Sequence, residues 1–329
     1  MYQTIALHDV IRVSVGRGSG IEIECDDPRV PRDSTNTCWK IIERVMQTLK
    51  ARGRVLIEIE KRLPVQGGLG GASGNAGAAL IALERALKKK LTGPEKLRIA
   101  AEVGSDLPLF LIGGTVLGVG RGEEVYPLPD LPAMPCVIAL PEVAVSTPKA
   151  FADWDRLCGA GAFARESVNR DPTGVVIQHR SGKEHTTAIG KLTVPAHSDR
   201  MLEFGREISA WLNARPVASK PRRSGVFARG GGRAENPLLD LVRTGIENDF
   251  EKVVFPQYPE LLEVKRVLER SGAVYASLSG SGSAVYGVFE SQAKARAAAG
   301  KLEKLGTRAL VTSTLPRRQY WRRLLATSS

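Results

Sequence analysis

Eight positions from Gly67 to Gly74, GGLGGASG, hold five glycines, preceded by Pro64 and followed by Asn75 and an alanine-rich apolar run. Glycines let a backbone approach a ligand closely and aim several N–H groups at it. A helix starting just behind them adds unpaired N–H groups and a positive dipole end. Such a loop can hold phosphates; glycines can also serve merely to tighten a strand-to-helix turn. The loop is not closed by Gly-Lys-Ser/Thr and lacks the G-x-G-x-x-G register, so neither common nucleotide fingerprint applies. A second candidate is Asp106 in GSDLPLF (104–110), a carboxylate at the mouth of an apolar segment. It can accept a proton or orient a hydroxyl, or it can be a helix cap or an Asx turn. The third is Ser279-Gly280-Ser281-Gly282, a hairpin turn or a ligand loop between two strand-like runs. His8, His179, His185 and His197, with Cys25, Cys38, Cys136 and Cys158, show no metal-ligand spacing, so no metal site is assigned to protein side chains and the thiols are expected to be reduced.

These groups need elements to hold them. The 329 residues are 43% hydrophobic and 25% charged, with no apolar run long enough to span a bilayer, which fits a two-domain globular protein. The amino terminus carries no export signal, and a cytoplasmic location is expected. IRVSV and GIEIEC, within 11–25, alternate as a half-buried hairpin around the Gly16–Gly20 turn. A helix over about 36–51 and a strand at 54–61 follow. The glycine loop then leads into a helix from roughly Asn75 to Lys90, and Thr92-Gly93-Pro94-Glu95 opens another that ends at Gly104. An apolar segment at 107–112, a hairpin of GTVLGVG with EEVYPL, and the buried strand PCVIAL complete this half. From about 159 to 199 no clear period is evident, and 216–235, rich in Pro, Gly and Arg, reads as a loop. Order returns with a helix near 258–271, strands AVYASL and SAVYGVF, a helix over 291–305 and strand RALVTST, the pattern of a small α+β domain.

LPVQGGLGGASGNAGAAL (63–80) resembles the P-x-x-x-G-L-G-G-G-S-S-N-A-A loop of the GHMP kinase superfamily, in its diphosphocytidyl-methylerythritol kinase form. GSDLPLF resembles that family's G-A-D-V-P-F-F motif, and ASLSGSGSAVYGVF (276–289) its M-S-G-S-G-S-x-x-F motif; NDFEKVVFPQYPEL (248–261) resembles the segment before it. The likeness implies an α+β, two-domain fold, with an ATP-binding domain over 1–145 and a ferredoxin-like domain over 146–329 that carries an irregular insertion at about 159–235. It implies an ATP- and Mg²⁺-dependent kinase acting on the 2-hydroxyl of diphosphocytidyl methylerythritol in non-mevalonate isoprenoid synthesis. ATP would lie along Pro64, Gly67, Gly68, Leu69, Gly70, Gly71, Ala72, Ser73, Gly74 and Asn75, with Ser73 near the magnesium-bound phosphates. Asp106 would be catalytic, and Ser279, Gly280, Ser281 and Gly282 would border the substrate. Ala72 and Gly74 depart from the motif, which has glycine and serine there.

Two further expectations concern the ends. The family opens with A-K-x-N-L-x-L and G-x-R-x-D-G-Y-H-x-L ahead of the segment that MYQTIALHDVI resembles. Its lysine, asparagine, tyrosine and histidine have no matching position here, and Lys40 and Lys61 do not occupy the motif. The resemblance therefore implies a shortened amino terminus, with roughly 25 to 40 residues needed to cover an exposed sheet edge. The net charge of +12, the basic 216–235 segment and the terminal RRQYWRR raise nucleic-acid binding as a competing function, with a solvated basic tail as the plainer account. A GHMP kinase for another small alcohol is the other alternative. Oligomeric state is not legible.

Overall fold

The computed structural model describes residues 1–65, 67–158 and 247–325. Residues 1–152 and 248–329 form one compact unit; of the second, 153–247, only 153–158 and Glu247 are described. The expectations for 159–235, including three of the histidines, lie outside the described residues. The architecture is α+β, as expected.

One sheet is built on β4 (Arg54–Glu60), antiparallel to β2 (Val10–Gly16) and parallel to β3 (Gly20–Cys25). This corrects the hairpin expected for β2 and β3, which do not pair. Between β3 and β4 runs helix α1 (Thr37–Thr48), and a strand–helix–strand connection brings its two strands together in parallel. β4 takes the centre because Val55, Ile57 and Ile59 supply one continuous buried face. Asn36 caps α1, its side chain accepting from the Cys38 N–H at 2.8 Å, a contact worth about 1 kcal/mol. Packed on this sheet are α2 (Gly71–Leu87), α3 (Gly93–Val103) and the short α4 (Leu107–Ile112), with Ile41, Ile42, Val45, Leu80, Leu83, Ile99 and Leu107 at the centre of the core. The expected capping box at Thr92 and Glu95 is present.

β5 (Thr115–Val119) and β6 (Glu124–Pro127) form the expected hairpin, extended by the short β1 (Tyr2–Gln3). The third sheet joins β7 (Pro135–Leu140), β8 (Tyr275–Leu278), β9 (Val285–Val288) and β10 (Arg308–Ser313) in the order β10-β7-β9-β8, all antiparallel. After β7 come α5 (Thr147–Leu157), α6 (Glu251–Val254) and α7 (Pro259–Arg270), and α8 (Gln292–Lys304) lies between β9 and β10. This β-α-β-β-α-β succession is the ferredoxin-like arrangement. The basic tail is not a solvated coil: Arg317–Leu324 form α9, which docks on the carboxy-terminal end of α4.

Candidate active site

α2 begins at Gly71, four residues earlier than its apolar pattern indicates, because the glycines that open it hide the helical period. Gly70 stands at the N-cap with φ +65° and offers no side-chain cap, so the opening N–H groups of the helix have no side-chain partner at that position. Gly74 N–H closes the first turn on the Gly70 carbonyl at 2.8 Å. Ala72 lies within the helix at negative φ, where a methyl is not strained, and its carbonyl accepts from Thr37 Oγ1 at 3.0 Å. Ser73 shares this first turn. The loop thus places Gly71, Ala72 and Ser73 at the positive end of the α2 dipole.

The third motif meets this loop directly. Ser279 Oγ donates to the Gly68 carbonyl at 2.8 Å. At Gly68, φ is +67°, and a Cβ there would stand 2.6 Å from the Gly282 carbonyl oxygen and 2.7 Å from that of Ser279. Only glycine allows the two loops to touch. Asn248 Nδ2 donates to the carbonyls of Leu278 (2.9 Å) and Gly280 (2.7 Å), and Glu251 Oε1 accepts from Ser277 Oγ and Leu278 N–H, both at 2.9 Å. The segment before the motif is therefore its scaffold. Ser281 Oγ is hydrogen-bonded to Thr147 Oγ1 at 2.8 Å.

Asp106 occupies the N-cap position of α4 but its side chain makes no capping hydrogen bond. The carboxylate is reached by solvent, yet enough protein surrounds it that burial pushes its pKa up; a hydrogen bond from the Tyr2 hydroxyl acts in the opposite sense. One turn on, Phe110 lies against the glycine loop: a Cβ on Gly70, Gly77 or Gly74 would come within 2.9, 3.2 or 3.3 Å of its side chain. The three glycines form one helical stripe, so α4 seats against α2 through Phe110. The structure brings all three motifs together on one unit.

Two expected site residues also make structural contacts. Asn75 is buried and its amide donates to Asp9 Oδ2 at 2.8 Å, and Leu69 packs among Cys136, Ile138 and Ala284. Pro64 braces the loop, its Cγ only 2.9 Å from where a Cβ on Gly67 would stand. Sequence reasoning missed Asp9. Its carboxylate also takes Lys61 Nζ and the N–H groups of Arg62 and Leu63, each at 2.7 Å. Burial would raise its pKa, but these bonds outweigh it and the net shift is downward. Lys61 Nζ is held 3.8 Å from a Cβ position on Gly71, at the opening turn of α2. No spacing in the sequence connects residues 9, 61 and 75.

Residues 36–114 match the GHMP kinases N terminal domain and residues 235–308 the GHMP kinases C terminal. A 4-diphosphocytidyl-2-C-methyl-D-erythritol kinase of Solibacter usitatus (strain Ellin6076) is 31% identical over 289 residues, covering 88% of this chain and 72% of the relative. The chain belongs to the GHMP kinase family. A kinase of the same name from Synechococcus elongatus is 32% identical over 300 residues, covering 90% of this chain and 79% of its own. Among solved structures, a 4-(cytidine 5'-diphospho)-2C-methyl-D-erythritol kinase is similar with a TM-score of 0.59 and 23% identity, over 94% of this chain and 87% of that one. A homoserine kinase from Cytophaga hutchinsonii is similar with a TM-score of 0.64 and 19% identity, over 95% and 88%. The fold is thus shared by kinases of different names, and fold alone does not select the acceptor. Among the described residues no helix is long and apolar enough to cross a membrane, and no group of three or more His, Cys, Asp or Glu side chains is placed to hold a metal.

Proposed function

We propose that this GHMP kinase transfers the γ-phosphoryl group of ATP to the 2-hydroxyl of 4-diphosphocytidyl-2-C-methyl-D-erythritol. The observation that carries the reading is the junction of the three motifs: Ser279 bonded to Gly68, and the Asp106 segment seated on Gly70, Gly74 and Gly77 through Phe110. The choice of acceptor is supported by the names of relatives about 30% identical over most of the chain.

The chemistry follows from the parts. The N–H groups of Gly71, Ala72 and Ser73, at the positive end of α2, hold the phosphates, and Lys61 adds positive charge beside them. Magnesium would neutralise phosphate charge, and Ser73, in the first turn of α2, is the hydroxyl that would help to hold it. The substrate hydroxyl oxygen bonds to the γ-phosphorus, the bond to the β-phosphate oxygen breaks, ADP leaves, and the hydroxyl proton passes to Asp106. A raised pKa makes that carboxylate a better proton acceptor than an ordinary aspartate. The cytoplasm is the expected location.

The deciding assay follows ADP release by the full-length protein with magnesium ATP and, separately, the diphosphocytidyl alcohol, homoserine and mevalonate. Release is expected with the first alone. Turnover of either other alcohol at a higher kcat/KM would replace the substrate assignment, and no turnover with any would remove the kinase reading. Nucleic-acid binding through the terminal tail is less well supported, because Tyr320 and Trp321 spend their polar donors on carbonyls of α4 and tie the tail to the fold.

A further inference from the structure

The end of α4 has a backbone problem that the tail solves. A helix leaves its last carbonyls without partners, and α4 has only six residues before Gly113 stops it. The carbonyl of Leu109 takes the Gly113 N–H at 2.8 Å. From α9, Tyr320 hydroxyl donates to the Phe110 carbonyl at 2.6 Å and Trp321 Nε1 to that of Ile112 at 3.0 Å. Arg317 donates through Nε to Gly113 at 3.0 Å and through one terminal nitrogen to Thr115 at 2.9 Å and Leu128 at 3.2 Å. Its own N–H donates to Asp130 at 2.8 Å.

The docking is close. Gly113 has φ +70°, and a Cβ there would lie 2.2 Å from the Tyr320 ring. Yet α9 buries no residue fully, so its contribution to the hydrophobic core is slight. What it supplies is a set of directed hydrogen bonds to the carbonyls of Phe110, Ile112, Gly113, Thr115 and Leu128. The residue that receives the Tyr320 bond is Phe110, whose ring lies against Gly70 and Gly74 and whose Cβ faces Gly77, and which stands one turn from Asp106.

We propose that α9 is a built-in strut for the reacting segment, with Tyr320 as a positioning residue that fixes Phe110 and through it both Asp106 and the glycine loop. Trp321 and Arg317 complete the strut by holding the turn after α4. The inference rests on the kinase reading for its catalytic consequence, but its structural half stands apart from it.

The test compares full-length Tyr320→Phe and Trp321→Phe with wild type, and takes Arg318→Ala, on the exposed side of the same helix, as the control. Steady-state kinetics and hydrogen–deuterium exchange are read at a temperature where every protein is folded. Tyr320→Phe leaves the Phe110 carbonyl unpaired and should lower kcat/KM for ATP about tenfold, with KM for ATP up and kcat down. Exchange should rise in peptides covering 104–115 and 63–78 and stay unchanged in 292–313. Trp321→Phe should act in the same direction, and Arg318→Ala should match wild type. Wild-type kinetics and exchange in Tyr320→Phe would overturn the proposal. So would a lower unfolding midpoint with kcat/KM intact, since that marks a structural role only. If wild type itself phosphorylates no alcohol, the kinase reading fails, and exchange at 63–78 still decides whether the strut exists.

Discussion

Replacing Asp9 by asparagine removes one charge and turns one acceptor into a donor at the most heavily bonded carboxylate of the site. The side chain is fully buried and accepts four hydrogen bonds, two on each oxygen. Asparagine can keep its oxygen on the N–H groups of Arg62 and Leu63. Its amide nitrogen then faces Lys61 and Asn75. Asn75 can turn its own oxygen inward, but lysine has no acceptor to offer. Lys61 is only 11% exposed in its side chain, so water does not replace the lost partner. Stranding one member of a buried pair costs about 3–5 kcal/mol, and a reoriented Asn75 recovers about 1, leaving a loss of about 3 kcal/mol. Urea unfolding should show a lower midpoint at unchanged slope. The pH dependence has a definite sign. Because the folded pKa lies below the unfolded value of about 4, the stabilisation is fully present above the unfolded value and is lost as pH falls through the folded one. The gap between wild type and variant should therefore be widest near neutrality and close in acid. A variant within about 0.5 kcal/mol of wild type at pH 7 would refute the reasoning.

Asp106→Asn should keep the unfolding midpoint and ATP affinity while losing most turnover, and near wild-type kcat at saturating substrate would take Asp106 out of the mechanism. In wild type a carboxylate acting as base must be ionised, so activity falls as pH drops through its folded pKa. With that pKa raised by burial, the acid limb of kcat/KM should lie above the ordinary aspartate range and disappear in the variant. Gly68→Ala must relieve contacts of 2.6 and 2.7 Å to two carbonyl oxygens and adopt a left-handed backbone that costs a non-glycine residue about 1–2 kcal/mol. It should separate the loops, break the Ser279 bond and lower kcat/KM; unchanged kinetics would show that the loop junction is not part of the site.

Much of this was legible in residue order because motifs carry their own spacing. The glycine loop, the Asp106 segment and the Ser279–Gly282 turn are contiguous stretches whose chemistry can be read locally, as are the Asn36 cap and the Thr92 capping box. Pairing is different. IRVSV and GIEIEC each alternate, but alternation names a buried face and not a neighbour. The clue was the strand–helix–strand order of 20–60, which calls for a parallel pair and leaves β2 to the other edge of β4. The Asp9 network joins positions 52 and 66 residues apart and has no periodic trace. The tail was misread for a related reason. RRQYWRR is too polar to show an apolar face, and α9 docks by donating to carbonyls, which belong to the backbone of any sequence.

The two departures from the family motif acquire a physical sense once the loop is seen as a surface with two sides. On one side, the N–H groups at the start of α2 belong to the main chain, and neither alanine at 72 nor glycine at 74 removes one. On the other side, position 74 stands in line with Gly70 and Gly77 against Phe110. A serine Cβ at 74 would meet Phe110 Cε1 at 3.3 Å, tighter than most Cβ contacts, so this chain exchanges a hydroxyl for a closer seat of α4 on α2. Geometry at this site is then set less by side chains on the loop than by what presses on its back: Phe110, held by Tyr320 from the carbonyl side, and the Ser279 hydroxyl on Gly68. A site made of backbone needs such supports, because a main-chain N–H can be aimed only by moving the segment that bears it.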